Sequence, residues 1–355
     1  MLLDVPFLPD TGYTTFLQEH EQSLYSVHFS LLQEDIPDCR HNTAILDLRD
    51  VSRSLSCLGR VKKYALLNSR FYAADAYLDR EKISRILEVL EYLLGEGNID
   101  GVVVVDLYLV HALSDASPEI TSQLEAVPGV NCMLDSFGRI RCWLDCLSRT
   151  NFALPAKLNL DRSLNRTIGA LREVSAGCRQ EYPDIALSLL ANEGCLFRCP
   201  FKLTHDAHIA QARTRPCGDR TYEMNRSLGC IRILSDRPEE ILRSPFIRPE
   251  DRRHYAQYAD MLKICGRTLG ASFLRDTVSA YLGEKYEGNL LALLDTQDWQ
   301  VDRLELVNED FPHDYFEQLT GCGLDCAACD YCRRLFARIS RFRPLALKDF
   351  RTPRS

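Results

Sequence analysis

At 355 residues, with 46% hydrophobic and 26% charged residues, the chain has the composition of a globular protein with a real core, in one large domain or two ordinary ones. A net charge of −7 removes any overall electrostatic case for nucleic acid or an anionic membrane. No apolar run approaches a membrane span. The start Met1-Leu2-Leu3-Asp4-Val5-Pro6 has no basic region and no cleavage pattern, so a cytoplasmic protein is expected.

A first strand is predicted over residues 2–8 and a helix over 11–20, with Thr11 as its cap. Residues 23–30 alternate apolar and polar and read as a second strand, followed by a polar loop that holds Cys39. Residues 44–48 fit a strand or a helix start equally. A third strand is expected over 63–69. Residues 79–95 carry apolar side chains at helical spacing, with Gly95 and Gly97 as stops. Residues 101–106, GVVVVD, form an apolar strand ending in a carboxylate, and residues 130–135 read as a weaker strand with the same ending. A helix follows over 137–149, a short strand over 156–159, a helix over 164–174 and a buried strand over 185–190. Residues 261–265 lead into Gly266-Arg267 as the last strand.

Eight apolar strands alternating with helices predict a TIM-like (β/α)8 barrel, with an open doubly wound sheet as the alternative. In a barrel, strand ends gather at one mouth. That places Asn68, Arg70, Asp106, Asp135, Asn159, Asn192, Glu193 and Arg267 at the working face. The link between the last two strands is far longer than ordinary loops and carries cysteines, so residues 191–260 read as a Cys-rich insertion. The expected organisation is a barrel over 1–295 that includes this insertion, then a C-terminal extension over 296–355 with a second cysteine loop and a basic tail. Within the insertion, Ser244 to Asp251 reads as an extended segment entering a helix at Pro249. Arg248 is held extended before the proline as a fixed cation for an anionic group, or is simply an exposed residue at a helix start.

Fifteen cysteines in a protein expected in a reducing compartment call for metal ligation rather than disulfides. Cys195 and Cys199 stand four residues apart at a strand end, where Gly194 permits a turn. Cys217 and Cys230 follow in the same insertion. Cys322, Cys326, Cys329 and Cys332 occupy one short loop, a pattern that suits a 4Fe–4S cluster, with zinc as the alternative. The first three match the CxxxCxxC of radical S-adenosylmethionine enzymes, but those carry it near the start of a barrel. Arg333 in place of a histidine excludes c-type haem attachment. The eight Lys and Arg between Arg333 and Arg354 form a solvated end, a helix packed on the loop, or a surface for an acidic partner.

Asn192-Glu193-Gly194-Cys195-x-x-x-Cys199-Pro200 with His205 after it resembles the signature of the collagenase-like peptidases of family U32. The segment from Ser244 to Asp251, the KICGR of residues 263–267 and the YEGNLL of residues 286–291 resemble further family segments, and the C-terminal cysteine run recurs in a subset. The family name implies proteolysis. Its UbiU/UbiV-type and RNA-hydroxylating relatives imply instead a 4Fe–4S protein of oxygen-independent hydroxylation, with prephenate as a co-substrate. By that resemblance Cys195, Cys199 and Cys230 map onto cluster ligands. The fourth ligand departs from the family pattern, since residues 225–229 hold no cysteine. Cys217, Cys39 or an open iron position is left for it.

Three functions follow. The first is an iron–sulfur oxidoreductase or hydroxylase acting on a small molecule or RNA. Asn68, Asp106 and Asn192 line its site, and Arg248 and Arg267 bind an anionic group. A C-terminal cluster relays electrons from a donor or a paired family member. The second is a peptidase, for which spacing assembles no nucleophile–base set: there is no HExxH, and His205 and His208 lack the intervening glutamate. The third is a non-catalytic iron–sulfur partner subunit.

Overall fold

In a computed structural model of the chain, the described residues are 1–31, 33, 36, 38–39, 47–214 and 220–343, with the side chains of 213 and 214 excluded. Eight parallel strands run in the order β5-β4-β3-β2-β1-β8-β7-β6. They are β1 (Leu2–Pro6), β2 (Leu24–Ser30), β3 (Lys62–Leu67), β4 (Gly101–Val104), β5 (Glu125–Pro128), β6 (Lys157–Asn159), β7 (Ala186–Leu190) and β8 (Met261–Lys263). The edge strands meet where Glu125 bridges Ala153 in parallel and Asn159 donates to the Pro128 carbonyl at 3.0 Å, so the sheet is a nearly closed TIM-like (β/α)8 barrel.

The strands alternate between two environments, as a barrel requires. Leu3, Val5, Val27, Phe29, Ala65, Leu67, Val102 and Val104 face the helices and share one continuous core with them. The intervening residues face inward. On one side of the interior they are apolar, with Tyr64, Leu66, Val103 and Val127 packed together. On the other side Asp4, Ser26, His28, Lys157 and Lys263 are all buried and bonded to one another.

Most elements lie where the sequence places them. The helix Arg80–Gly95 starts on an Asp79 cap that accepts from Glu81 and Lys82. Asp106 does not end a strand; it caps the helix Leu107–Ala116. The strand expected over 130–135 is a correction. Residues Val130–Cys132 form a 3₁₀ turn and the strand is β5, where only Ala126 and Val127 supply apolar pattern before Pro128 stops it. Gly129 then packs so closely on Val103 and Val105 that no side chain fits without displacement. The helix expected over 164–174 runs instead from Ile168–Glu181 behind a 3₁₀ turn at Arg162–Arg166. Residues 44–46 of the ambiguous segment, and the tail from 344, lie outside the described residues.

Residues after β7 do form a long excursion, with helices at Lys202–Thr214, Thr221–Leu228 and Cys230–Asp236. This excursion packs on the C-terminal extension. Leu196, Leu234, Ile241, Leu242 and Phe246 share a second core with Leu304, Leu306, Phe311, Tyr315, Leu335 and Phe336. Strands β9 (Leu304–Leu306) and β10 (Ser340–Phe342) pair antiparallel beside it. The expected boundary at 295/296 therefore lies beside a tight joint. Asp295 donates to the Asn192 carbonyl at 2.8 Å and accepts from the Gly194 amide at 3.0 Å.

Candidate metal centres at the barrel mouth

The barrel mouth opens into two adjoining spaces. A cavity of about 80 Å³ at the strand ends is lined by His28, Cys39, Asn68, Asn131, Glu193, Cys195, Lys263, Cys265 and Arg267. A larger one of about 320 Å³ lies between the excursion and the extension. It is lined by Cys195, Cys199, Cys230, Lys202, His205 and Asn225 together with Thr296, Gln297 and Trp299. Cys195 faces both spaces.

Three of the four barrel cysteines thus meet around one cavity, each half-buried. Burial raises the pKa of all three thiols. Arg162 and Lys202 pull Cys195 and Cys199 the other way, while Cys199 and Cys230 push Cys195 further up and Cys199 does the same to Cys230. Arg162 is itself paired with Glu193, and Lys202 with Asp206. Cys217 lies outside the described residues. Cys39 stands on the other side of Cys195, in the smaller cavity. Its amide donates to Asn68 Oδ1 at 3.0 Å, and the Arg267 guanidinium lies 4.0 Å from its sulfur. Gly194 is required for packing rather than for a positive φ: an added Cβ would stand 2.5 Å from the Gln297 side chain. The left-handed residue of the ligand turn is Arg198, at φ 47°.

The second group is equally compact. Cys322, Cys326, Cys329 and Cys332 line one cavity of about 420 Å³ with Arg166 and Arg243. Arg166 donates to Cys322 Sγ at 3.5 Å. Burial raises the Cys332 pKa while Arg166 and Arg243 lower it. Arg166 also lies over the Phe197 ring, 5.2 Å from its centroid. Phe197 sits between Cys195 and Cys199 in the chain, so one arginine joins the four-cysteine loop to the turn that carries the barrel cysteines.

Among the described residues, no three His, Cys, Asp or Glu side chains come together tightly enough to hold a metal ion. A cuboidal cluster anchors each thiolate on a different iron, so its ligands stand further apart than those of one ion. Soft thiol donors around a cavity, with arginine and lysine offsetting thiolate charge, fit a cluster in both places.

The expected site residues separate into two groups. Asn68 and Arg267 line the mouth; Arg267 is also paired with Asp38 at 2.6 Å. Asn192 is fully buried and ties chain segments together. It donates to the Cys265 and Leu293 carbonyls at 3.0 Å each and accepts from the Cys265 amide at 2.7 Å. Asp106 is occupied by its helix cap and by the Tyr77 hydroxyl. Arg248 is not brought to the mouth. Its guanidinium is held by Asp251, 3.0 Å from Nε, and lies over the Phe311 and Tyr315 rings. Sequence reasoning missed Arg162, Lys202, Arg166, Arg243 and the inward Asp4–His28–Lys157–Lys263 set. The signal for the last was present as single charged residues inside apolar strands.

No family model matches the chain. It is 31% identical over 180 residues to the uncharacterized protease MJ1657 of Methanocaldococcus jannaschii, a match covering 50% of this chain and 51% of that protein. The chain thus spans about half the length of the curated relative it matches. The solved structure of the U32 peptidase Mk0906 superposes with a TM-score of 0.50 at 15% identity, covering 75% of this chain and 92% of that one. These likenesses show the barrel fold of the U32 peptidase and a sequence similarity to the Methanocaldococcus protein over half of each chain. A xylanase of Thermoanaerobacterium saccharolyticum matches this chain more distantly, with a TM-score of 0.36 at 9% identity over 74% of this chain and 85% of the xylanase. No helix among the described residues is long and apolar enough to cross a membrane.

Proposed function

We propose that this protein is a U32-type iron–sulfur redox protein with two 4Fe–4S clusters, working in the reducing cytoplasm on an oxygen-independent hydroxylation or a related tailoring reaction. The observation that carries the reading is Arg166, which reaches Cys322 of the four-cysteine loop and the Phe197 ring of the barrel-mouth ligand turn. A guanidinium that offsets thiolate charge in the four-cysteine cavity and packs on the turn carrying Cys195 and Cys199 couples the two sites by position. Cys195, Cys199 and Cys230 hold the mouth cluster, with Cys39 or Cys217 as the fourth ligand or an iron left open to substrate. Cys322, Cys326, Cys329 and Cys332 hold the other. When bound, such clusters supply one-electron transfer.

The chain's own residues do the rest. Arg162 and Lys202 offset the thiolate charge at Cys195 and Cys199. Asn68 positions the Cys39 backbone, and Asn192 fixes the strand ends against the extension. Arg267 places a cation at the cavity wall for an anionic group. The substrate is a small molecule or an RNA, and the exposed four-cysteine loop is the entry for an electron donor or a paired family member. The same reading serves a non-catalytic partner subunit if no turnover accompanies the clusters.

A peptidase is the second reading, favoured by the name of the Methanocaldococcus relative and by Cys195 and His205 lining the same cavities. Anaerobic purification with iron, sulfide and electron paramagnetic resonance measurements separates the two. The expected result is two clusters' worth of iron. Cys195→Ala and Cys326→Ala should each lose about half of it and leave the other signal in place. Stoichiometric zinc, or peptide hydrolysis by metal-free protein that is abolished in Cys195→Ala, would overturn the redox reading.

A further inference from the structure

The polar half of the barrel interior takes no part in holding sulfur, and its composition is unusual for a structural core. One carboxylate, Asp4, is shared by two lysines. Lys157 Nζ lies 2.8 Å and Lys263 Nζ 2.9 Å from Asp4 Oδ2, while His28 Nδ1 lies 3.0 Å from Oδ1. The two amines differ in access. Lys157 is fully enclosed, donates to Ser26 Oγ at 2.7 Å and lies over the Tyr64 ring. Lys263 ends β8, and together with His28 it lines the mouth cavity. An amine at a cavity wall, fixed by a carboxylate and next to an imidazole, is placed where a lysine can meet a carbonyl compound as a nucleophile.

We propose that Lys263 is a Schiff-base lysine for a small carbonyl compound that carries an anionic group, admitted through the mouth cavity. The cavity of about 80 Å³ has room for a molecule of a few heavy atoms. Arg267, Asn68 and Asn131 on its wall supply a cation and amides for the anionic end. The step balances without any redox partner. A C–N bond forms between Nζ and the carbonyl carbon, and the carbonyl C–O bond breaks. Two protons of the ammonium leave with the oxygen as water, and the third remains on nitrogen. His28, whose Nδ1 faces Asp4 while its Nε2 lies 3.2 Å from Lys263 Nζ, stands where it can relay them to the departing oxygen. Burial and Lys263, against the opposing pull of Asp4, hold His28 neutral with its pKa down at about 3, so it serves by taking a proton at one nitrogen as it gives one up, never as a stored imidazolium. Nitrogen is uncharged only while the C–N bond forms; the starting ammonium and the final iminium carry the same charge, so the Asp4 pairing is the same at both ends of the step.

The test is reductive trapping on the full-length, anaerobically purified protein. Glyoxylate is the anionic carbonyl probe, acetaldehyde the neutral one, and sodium cyanoborohydride the hydride source that reduces the iminium to a stable amine. Peptide mapping by mass spectrometry reads the site. Lys263 should be labelled by glyoxylate at least tenfold faster than the exposed Lys285, and faster by glyoxylate than by acetaldehyde. Lys157 should stay unlabelled. The proposal is overturned if Lys285 is labelled and Lys263 is not, or if both react at one rate. Arg267→Gln should slow glyoxylate labelling at Lys263 several-fold more than acetaldehyde labelling, a ratio that needs no variant of Lys263 itself; an equal effect on both probes would overturn the anionic-group part of the proposal. The assay reads a covalent mass on a peptide, so its outcome is independent of the iron content that tests the cluster reading.

Discussion

Asp4 sits at the centre of the barrel interior, and its ionisation reports on everything bonded to it. Burial alone would push its carboxyl up, but Lys157, Lys263 and His28 outweigh this and hold it well below the usual carboxylate range of 3.8. Its contribution to stability is therefore complete above about pH 4 and is lost as the pH falls through the lowered value. Asp4→Asn leaves two buried ammonium groups sharing no anion. It should cost about 3–5 kcal/mol at neutral pH by urea unfolding, and the gap to wild type should narrow in acid. Lys157 works in the opposite sense. Burial lowers its pKa from 10.5 to about 8, against the pull of Asp4 and with the help of Lys263. Between those values the unfolded chain binds the proton more readily, so stability relative to Lys157→Met should rise with pH from 8 to 10. Urea midpoints of the two proteins across that window check the sign.

At the scale of an element, the turn after β8 does more than end a strand. Gly266 takes φ 116°, and an added Cβ would stand 2.1 Å from the Phe273 ring. Both the conformation and the space exclude a side chain, and the turn delivers Cys265 and Arg267 to the mouth cavity on either side. Gly266→Ala should cost roughly 1–3 kcal/mol, read as a lowered thermal midpoint, through the overpacked ring and the strained backbone. The β7 end is pinned in a comparable way, with Asn192 bonded to the β8 end and to the segment at Leu293. These joints place the ligand turn from Cys195 to Cys199 against the rest of the molecule, so its sulfurs reach a shared space.

Across the whole molecule the excursion and the extension behave as one body. Apolar residues between 196 and 246 bury themselves against residues between 290 and 339, and Thr296, Gln297 and Trp299 complete the cavity that the barrel cysteines line. A chain truncated after Asp295 would uncover that second core. Limited proteolysis should then cut residues 191–260 far faster than in the full protein, while the barrel strands stay protected; equal cleavage would show that the barrel and its excursion stand without the extension.

The sequence by itself determined the barrel and the two cysteine groups. Strand and helix periodicity, strand count and thiol spacing are local quantities, and seven of the eight strands can be read from them. The strand at Glu125–Pro128 could not be read, because two apolar residues before a proline are too short a signal against the longer run that follows. Only the tertiary structure decided which polar residues reach the mouth. Arg267 arrives there, whereas Arg248 is taken up by Asp251 and two aromatic rings, although both are arginines beside a turn. The same holds for the union of excursion and extension and for the meeting of Asp4, His28, Lys157 and Lys263. These groups are brought together by ring closure and by burial across long sequence separations, and no pattern along the chain encodes which distant partner a buried charge will find.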